Sequence, residues 1–490
     1  MGKRWWSLAA STLAAGLVWL SFADLGVAIP TLATDLHAGA NAMAWANNAF
    51  SLTIGTCVVI AGRLDDALGR RRMLVVGLVV FAAGCVVAAL APDVVVLVLG
   101  RVVMGVGGAL ILPATLALIP PEFTGTAALT AFSVWQAVAW GGQSLAPAFG
   151  GIVTEGVGWR WLFWLMLPLT ALSVAGLLAF TPESRDEDAS GRLDYTGAAT
   201  LAVAVFALLF ALTQGPASGW LSPVILVSLL VAVVLAWVWL WWERRVPNPL
   251  FALRLFATRS YSGSLTANLV MNLVFAGLSY LLVQWLQVVL GYSAIEAGLL
   301  MLPATVGVFL TLPLGSRWEA ASTARTPIVR GLPVLGLGTL GLAALGVVSP
   351  LVALSLGLLV VGLGLGIMST PISDASVGEV PEDLAGMAAG GFKMSSMVGG
   401  SLGVALMVAV SDAFTSAFAT RDLTAAGLGA DQVGQVTSAM SGPSDYTAAT
   451  AHLPGAVRAA AGHAVDAAFT SGTALTMAAT AAPRAMRAST

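Results

Sequence analysis

Apolar residues run along this chain in stretches of about twenty, parted by short polar joints. A helix needs about 20 apolar residues to cross a hydrocarbon core about 30 Å thick. Fourteen runs meet that pattern, over residues 8–29, 43–61, 74–91, 94–116, 127–151, 161–180, 197–214, 222–242, 264–290, 298–316, 328–348, 350–372, 386–410 and 463–482. Only Ser349-Pro350, a tight turn, parts the eleventh run from the twelfth. The last run is short and carries His463, Asp466 and several threonines.

Composition agrees with this pattern. The chain has 490 residues, 58% hydrophobic and 9% charged, where soluble domains carry about 25% charged residues. So little charge cannot cover a soluble surface, and the bilayer must be the solvent. The expected class is an all-α polytopic membrane protein.

Charge then orients it. The net charge of −2 comes with no basic tail, which disfavours nucleic acid as a partner. With the N-terminus inside, 17 Lys and Arg residues fall on cytoplasmic ends and loops. Three, Arg160, Arg421 and Arg458, fall outside, and Arg101 and Lys393 lie within spans. That asymmetry predicts an even number of spans with both termini cytoplasmic. Only Lys3 and Lys393 are lysines, and the chain is rich in Ala, Gly and Val, which suggests a GC-rich bacterial gene and hence a bacterial inner membrane. The opening Met1-Gly2-Lys3-Arg4 precedes an apolar run that reaches Pro30 and holds Asp24, too long for a signal core, so it reads as an uncleaved first span. Cys57 and Cys85 sit in apolar runs and read as packing residues.

The runs divide into three parts: an N-terminal six-helix bundle (1–181), a linker with two extra spans (182–262), and a C-terminal six-helix bundle (263–490) with an external loop at 411–462. Trp237, Trp239, Trp241 and Trp242 end the eighth span as an interfacial belt.

The chemistry lies in a few polar positions. Between the second and third spans stands Gly62-Arg63-Leu64-Asp65-Asp66-Ala67-Leu68-Gly69-Arg70-Arg71-Arg72. Its glycines permit a tight turn and close helix approach. Asp66 can cap a helix start and pair with the arginines, and Glu122 is a further candidate partner for Arg70 or Arg71. A merely topogenic basic loop would explain the arginines but not the spaced Gly, Asp and Gly. Arg101 lies about 10 Å into the fourth span, at a cost of a few kcal/mol, so it needs a partner unless it snorkels to the interface. Asp24 reads as the single acid well inside a secure span, at a similar depth. The two can form a proton-sensitive pair or a permanent structural one. Gly142, Ala146 and Gly150, with Pro147 and Gly151, put a small-residue groove on one face of the fifth span. Lys393 either attracts an anionic substrate group or pairs with Asp374 or Glu379. Polar cavity candidates are Asn47, Asn48, Gln136, Gln143, Asn268, Asn272, Tyr280, Gln284 and Gln287, with Trp135 and Trp140 able to stack on a planar molecule. Each of these can equally bond a neighbouring helix.

The Gly62–Arg72 segment resembles the GxLxDxxGRR signature of the major facilitator superfamily. Further resemblances point to its fourteen-span drug:proton antiporters: Trp159-Arg160-Trp161-Leu162-Phe163, Leu193-Asp194-Tyr195-Thr196-Gly197, Leu290-Gly291-Tyr292-Ser293 and Gly399-Gly400-Ser401-Leu402-Gly403. The first span departs from the family pattern, with Ser21 where an aspartate is usual and Asp24 three residues on. Gly315-Ser316-Arg317-Trp318-Glu319 is a degenerate echo of the signature.

The resemblance implies two six-helix bundles rocking about a central cavity, with spans 7 and 8 beside them. It implies that Gly62, Asp66, Gly69, Arg70 and Arg71 steady the inward-closed state, that Arg101 is linked to proton coupling, and that Gly142, Ala146 (in place of a glycine), Pro147, Gly150 and Gly151 form the antiporter motif of an exporter; Asp24, the acid inside the first span, is the candidate coupling carboxylate. It implies proton-driven efflux of a hydrophobic drug or antibiotic by a monomer, with no cofactor beyond the proton gradient. The alternatives are export of a native metabolite or lipid-like molecule, or a non-transporting membrane sensor. No Walker sequence and no catalytic constellation is present, so neither ATP hydrolysis nor an enzyme is expected.

Overall fold

The computed structural model describes residues 2–22, 24–184, 194–246, 249–343, 350–425 and 433. All regular structure among them is helical. In chain order the helices are α1 (Lys3–Leu20), α2 (Asp24–Asp35), α3 (Ala40–Leu68), α4 (Arg70–Ala89), α5 (Val94–Ala117), α6 (Ile119–Glu122), α7 (Thr126–Val157), α8 (Trp161–Trp164), α9 (Met166–Phe180), α10 (Tyr195–Ser218), α11 (Pro223–Glu243), α12 (Arg259–Val288), α13 (Ala294–Leu300), α14 (Leu302–Ala320), α15 (Arg325–Leu342), α16 (Pro350–Ser373) and α17 (Ala385–Ala425).

Ten stretches of described helix are long and apolar enough to cross a membrane, and α1 with α2 makes an eleventh if taken as one bent span. Every expected run except the last falls on a described helix. The run at 463–482, residues 344–348 of the eleventh run and Ser349 lie outside the described residues, and Pro350 begins α16. The α7 helix is long but carries glutamines, serines and glycines, and α15 carries Arg325 and Arg330. In α7 polar side chains bond the neighbouring α16.

Two expectations change. The first span is not one helix: it breaks after Leu20, and α2 leaves at 45°. Nor does a loop begin at 411. The stretch 411–425 holds no glycine or proline and four alanines, so nothing stops the helix until Gly427, and α17 runs on to Ala425.

In the first half, α4 and α3 pack on α5, and α1 packs on α7 and α9. In the second, α14 and α15 pack on α16, and α12 on α17. The halves meet where α3 lies against α17 and α7 against α14 and α16. The α10–α11 pair rests on α3 and α17, with Phe210 stacked on Trp45 at 5.8 Å.

Glycine faces set the closest approaches. A Cβ at Gly84 would stand 2.5 Å from the Met104 amide nitrogen, and one at Gly107 2.5 Å from that of Phe81. Without side chains there, α4 and α5 approach to backbone contact, the packing that serves where lipid removes the hydrophobic drive. Gly84→Val is therefore expected to destabilise the protein by about 1–3 kcal/mol. Gly156→Ala, at a site open to space, is expected to change it by less than about 0.5 kcal/mol. Thermal unfolding of the purified variants in detergent measures both.

Candidate transport site

Three stations carry the polar chemistry. The first forms at the break in the first span. Breaking the helix leaves the Ser21 carbonyl without an intrahelical donor. Arg101, fully buried on α5, fills the gap. Both of its Nη atoms donate to the Ser21 carbonyl at 3.1 Å, and its Nε donates to the Ala46 carbonyl at 3.3 Å. Its guanidinium lies 4.7 Å from the centre of the Phe50 ring. Asp24, also buried, stands at the head of α2, where a carboxylate faces the positive helix end. Its Oδ1 lies 3.9 Å from Arg101 Nη1 and accepts no hydrogen bond. The structure thus brings Asp24 and Arg101 together, but as opposed charges rather than a tight hydrogen-bonded pair. The backbone carbonyl, which no residue pattern announces, takes the arginine's best donors.

The groove on α7 holds this broken helix. A Cβ at Gly142 would meet Trp19 Cβ at 3.1 Å, and one at Gly150 would overlap the Asp24 carbonyl. Ala146 is buried in the same stripe. Gly151 and Pro147 face the other half, against Ile295 and Gly298. The motif expected from the sequence is therefore two-sided, with the first span on one flank and α13 on the other.

The middle station lies on the seam between the halves. Gln136 Nε2 donates to the Ser369 carbonyl at 2.9 Å and to Ser373 Oγ at 3.0 Å. Trp140 Nε1 donates to Ser369 Oγ at 3.1 Å, and Ser133 Oγ meets Thr370 Oγ1 at 3.0 Å. These bonds tie α7 to α16. Trp135 Nε1 donates to Thr115 Oγ1 at 3.0 Å within its own half. Lys393 is 2% exposed, with Nζ 4.2 Å from the Trp135 ring centre, 4.7 Å from Phe392 and 5.1 Å from Trp19. No carboxylate pairs with it among the described residues, so the expected partners Asp374 and Glu379 do not serve. Glu379 instead accepts from Ser260.

Other cavity candidates bond locally. Asn272 donates to the Asn268 carbonyl and side chain, at 2.8 and 3.1 Å, and Asn268 reaches the Phe392 carbonyl, Ser395 and Ser396. Gln284 donates to Tyr280 at 3.0 Å on an exposed face. Asn48 accepts from Asn47 at 3.4 Å, and Gln143 has no hydrogen bond among the described residues.

The third station is a latch between α3 and α17. Asp66 caps the start of α17: Oδ1 accepts from the Gly386 amide at 2.9 Å and Oδ2 from the Met387 amide at 2.8 Å. Arg70 Nη2 pairs with Asp66 Oδ1 at 3.1 Å and donates to the Glu382 carbonyl. Gly62 admits the Gly386 carbonyl where a Cβ would clash, and Gly69, at φ +105°, makes the turn into α4. Arg71 pairs with Glu183 at 3.7 Å and donates to the Thr181 carbonyl at 3.1 Å. Glu122 is not a partner of Arg70 or Arg71. It accepts from Ser7 Oγ at 2.7 Å, because α6 turns it toward α1. Close by is a cavity of about 700 Å³ lined by Glu319, Asp374, Glu379 and Glu382. Glu319 is buried with neither oxygen bonded. It stands four residues after Gly315 as Asp66 does after Gly62, the one signal by which the sequence marks it.

The sequence profile of the Major Facilitator Superfamily matches residues 11–404. The chain is 33% identical over 413 residues to multidrug resistance protein Stp of Mycobacterium tuberculosis (strain CDC 1551 / Oshkosh), covering 84% of this chain and 76% of Stp. It is 31% identical over 395 residues to quinolone resistance protein NorB of Staphylococcus aureus (strain MRSA252), covering 80% and 85%. In fold it resembles the human organic anion transporter MFSD10, with a TM-score of 0.58 at 17% identity over 84% of this chain and 94% of that one. It also resembles the proton:xylose symporter XylE, with a TM-score of 0.57 at 15% identity over 96% and 94%.

Neutralising the latch has a readable consequence. Asp66→Asn is expected to raise hydrogen exchange at the amides of residues 386 and 387 by about tenfold or more, since a charge-assisted bond contributes roughly 1.5–3 kcal/mol. Exchange measured by mass spectrometry on the α17 start tests it, and unchanged protection contradicts the latch.

Proposed function

The chain belongs to the major facilitator superfamily, and from that premise we propose that it exports a hydrophobic drug or antibiotic from a bacterial cytoplasm in exchange for protons. It is a multi-pass membrane transporter rather than an enzyme. The arginine asymmetry supports an orientation with both termini in the cytoplasm.

The observation that carries the coupling is the buried Asp24–Arg101 pair at the helix break. Ionised, Asp24 is attracted to the guanidinium across 3.9 Å in a medium that screens little. Protonated, it loses that attraction, while Arg101 keeps its bonds to the Ser21 and Ala46 carbonyls. The head of α2 is then held to α5 by less and can shift along the α7 groove. A proton entering from outside thereby favours rearrangement of the first half, and the Asp66 latch on α17 opens and closes the cytoplasmic side. The direction of transport rests on the α7 stripe and on Stp and NorB, whose names record resistance to drugs.

Asp24→Asn is expected to abolish proton-driven drug efflux from proteoliposomes while leaving substrate exchange without a proton gradient within about threefold of wild type, because binding and rocking do not need the proton. Undiminished proton-driven efflux would sink the coupling role. In an efflux-deficient host, the wild type is expected to raise the inhibitory concentration of at least one hydrophobic antibiotic at least about fourfold, and Arg101→Ala to remove most of that gain, since it leaves both a carbonyl and Asp24 buried and unpaired.

A further inference from the structure

The middle station contains an unmet electrostatic demand. Lys393 carries three N–H donors and no acceptor. Among the described residues no oxygen accepts from it and no carboxylate stands within ion-pair distance, yet it is 2% exposed. The faces of Trp19, Trp135 and Phe392 surround the ammonium at 4.2–5.1 Å. Ring faces offset part of the cost of burying a cation, but they leave its N–H groups unbonded. The box holds a second unmet donor. The indole Nε1 of Trp19 is buried and has no acceptor, whereas that of Trp135 is already spent on Thr115.

Two unpaired donors, one of them charged, with aromatic walls and no acid nearby, describe a site for an anion attached to a flat apolar body. A carboxylate has two oxygens, each able to accept from such a donor. The site is also composite: Trp19 and Trp135 come from α1 and α7 of the first half, Lys393 and Phe392 from α17 of the second. It is complete only while the halves meet, so rocking them apart takes the ammonium away from two of its three rings. A bound molecule would feel that change directly.

We propose that Lys393 and Trp19 recognise the carboxylate of an aromatic amphiphile, so that the preferred cargo of this exporter is an organic anion. This rests on the export reading for its physiological meaning, but not for its binding chemistry.

Equilibrium dialysis of the purified full-length protein in detergent tests it, with nalidixate as the aromatic carboxylate and its uncharged ethyl ester as the matched control. The wild type is expected to bind the acid about tenfold more tightly than the ester. Lys393→Met is expected to erase that preference, and Lys393→Arg to keep most of it. Trp19→Phe, which keeps the ring but removes the N–H, is expected to weaken acid binding several-fold and leave ester binding unchanged. Thermal unfolding shows that each variant is folded. Equal binding of acid and ester by the wild type overturns the proposal, as does a preference that survives in folded Lys393→Met. Proton-driven ethidium and nalidixate efflux from wild-type proteoliposomes is measured beside it. If neither moves, the export reading fails while the binding preference stands or falls by itself.

Discussion

Hydrocarbon offers no hydrogen bonds, so a helix broken inside the membrane must find its donors and acceptors within the protein. The first span is broken, and Arg101 repairs it by giving two of its N–H groups to the freed Ser21 carbonyl. Much of the first half follows from that repair. The arginine is held at its depth without a full ion pair. The break puts Asp24 at the head of a new helix, close enough to feel the charge but not bonded to it. The carbonyl of Asp24 then lies directly on α7, which has a glycine at that height. A side chain at position 150 would push the broken span, and the acid with it, away from the arginine.

The two halves are joined differently. Along the seam the contacts are hydroxyls, an amide and an indole N–H between α7 and α16, and backbone amides of α17 on the Asp66 carboxylate. Each such bond is worth about 1 kcal/mol net, somewhat more where a charge takes part. A few of them hold one arrangement without making it permanent. Glycine-lined helices also come into backbone contact, both inside each half and across the seam, where Gly62 meets the Gly386 carbonyl. The α10–α11 pair is fastened from its own side: Asp194 caps α10 and also accepts from Trp242, and Glu243 accepts from the Phe251 amide.

The seam also shows why some polar residues are poor guides to a cavity. Gln136 and Trp140 have the chemistry expected of a binding site, yet both spend their donors on Ser369. Trp19 is one of sixteen tryptophans in the sequence, and it matters because its buried N–H has no partner among the described residues.

Bulk hydrophobicity, the arginine asymmetry and the Gly62–Arg72 spacing were enough to establish a many-spanning helical transporter of this superfamily, because span length and loop charge are properties of local sequence. They also singled out Asp24, Arg101, Asp66 and Lys393, since a charge within an apolar run is costly and therefore conspicuous. Tertiary structure decided the partners. Arg101 prefers a backbone carbonyl, Glu122 turns to Ser7, and Lys393 finds rings instead of acids. It decided continuity too, breaking the first span and carrying α17 past its expected end. Backbone acceptors and helix breaks have no residue code of their own. They exist only once distant helices are packed, so no reading of local pattern reaches them.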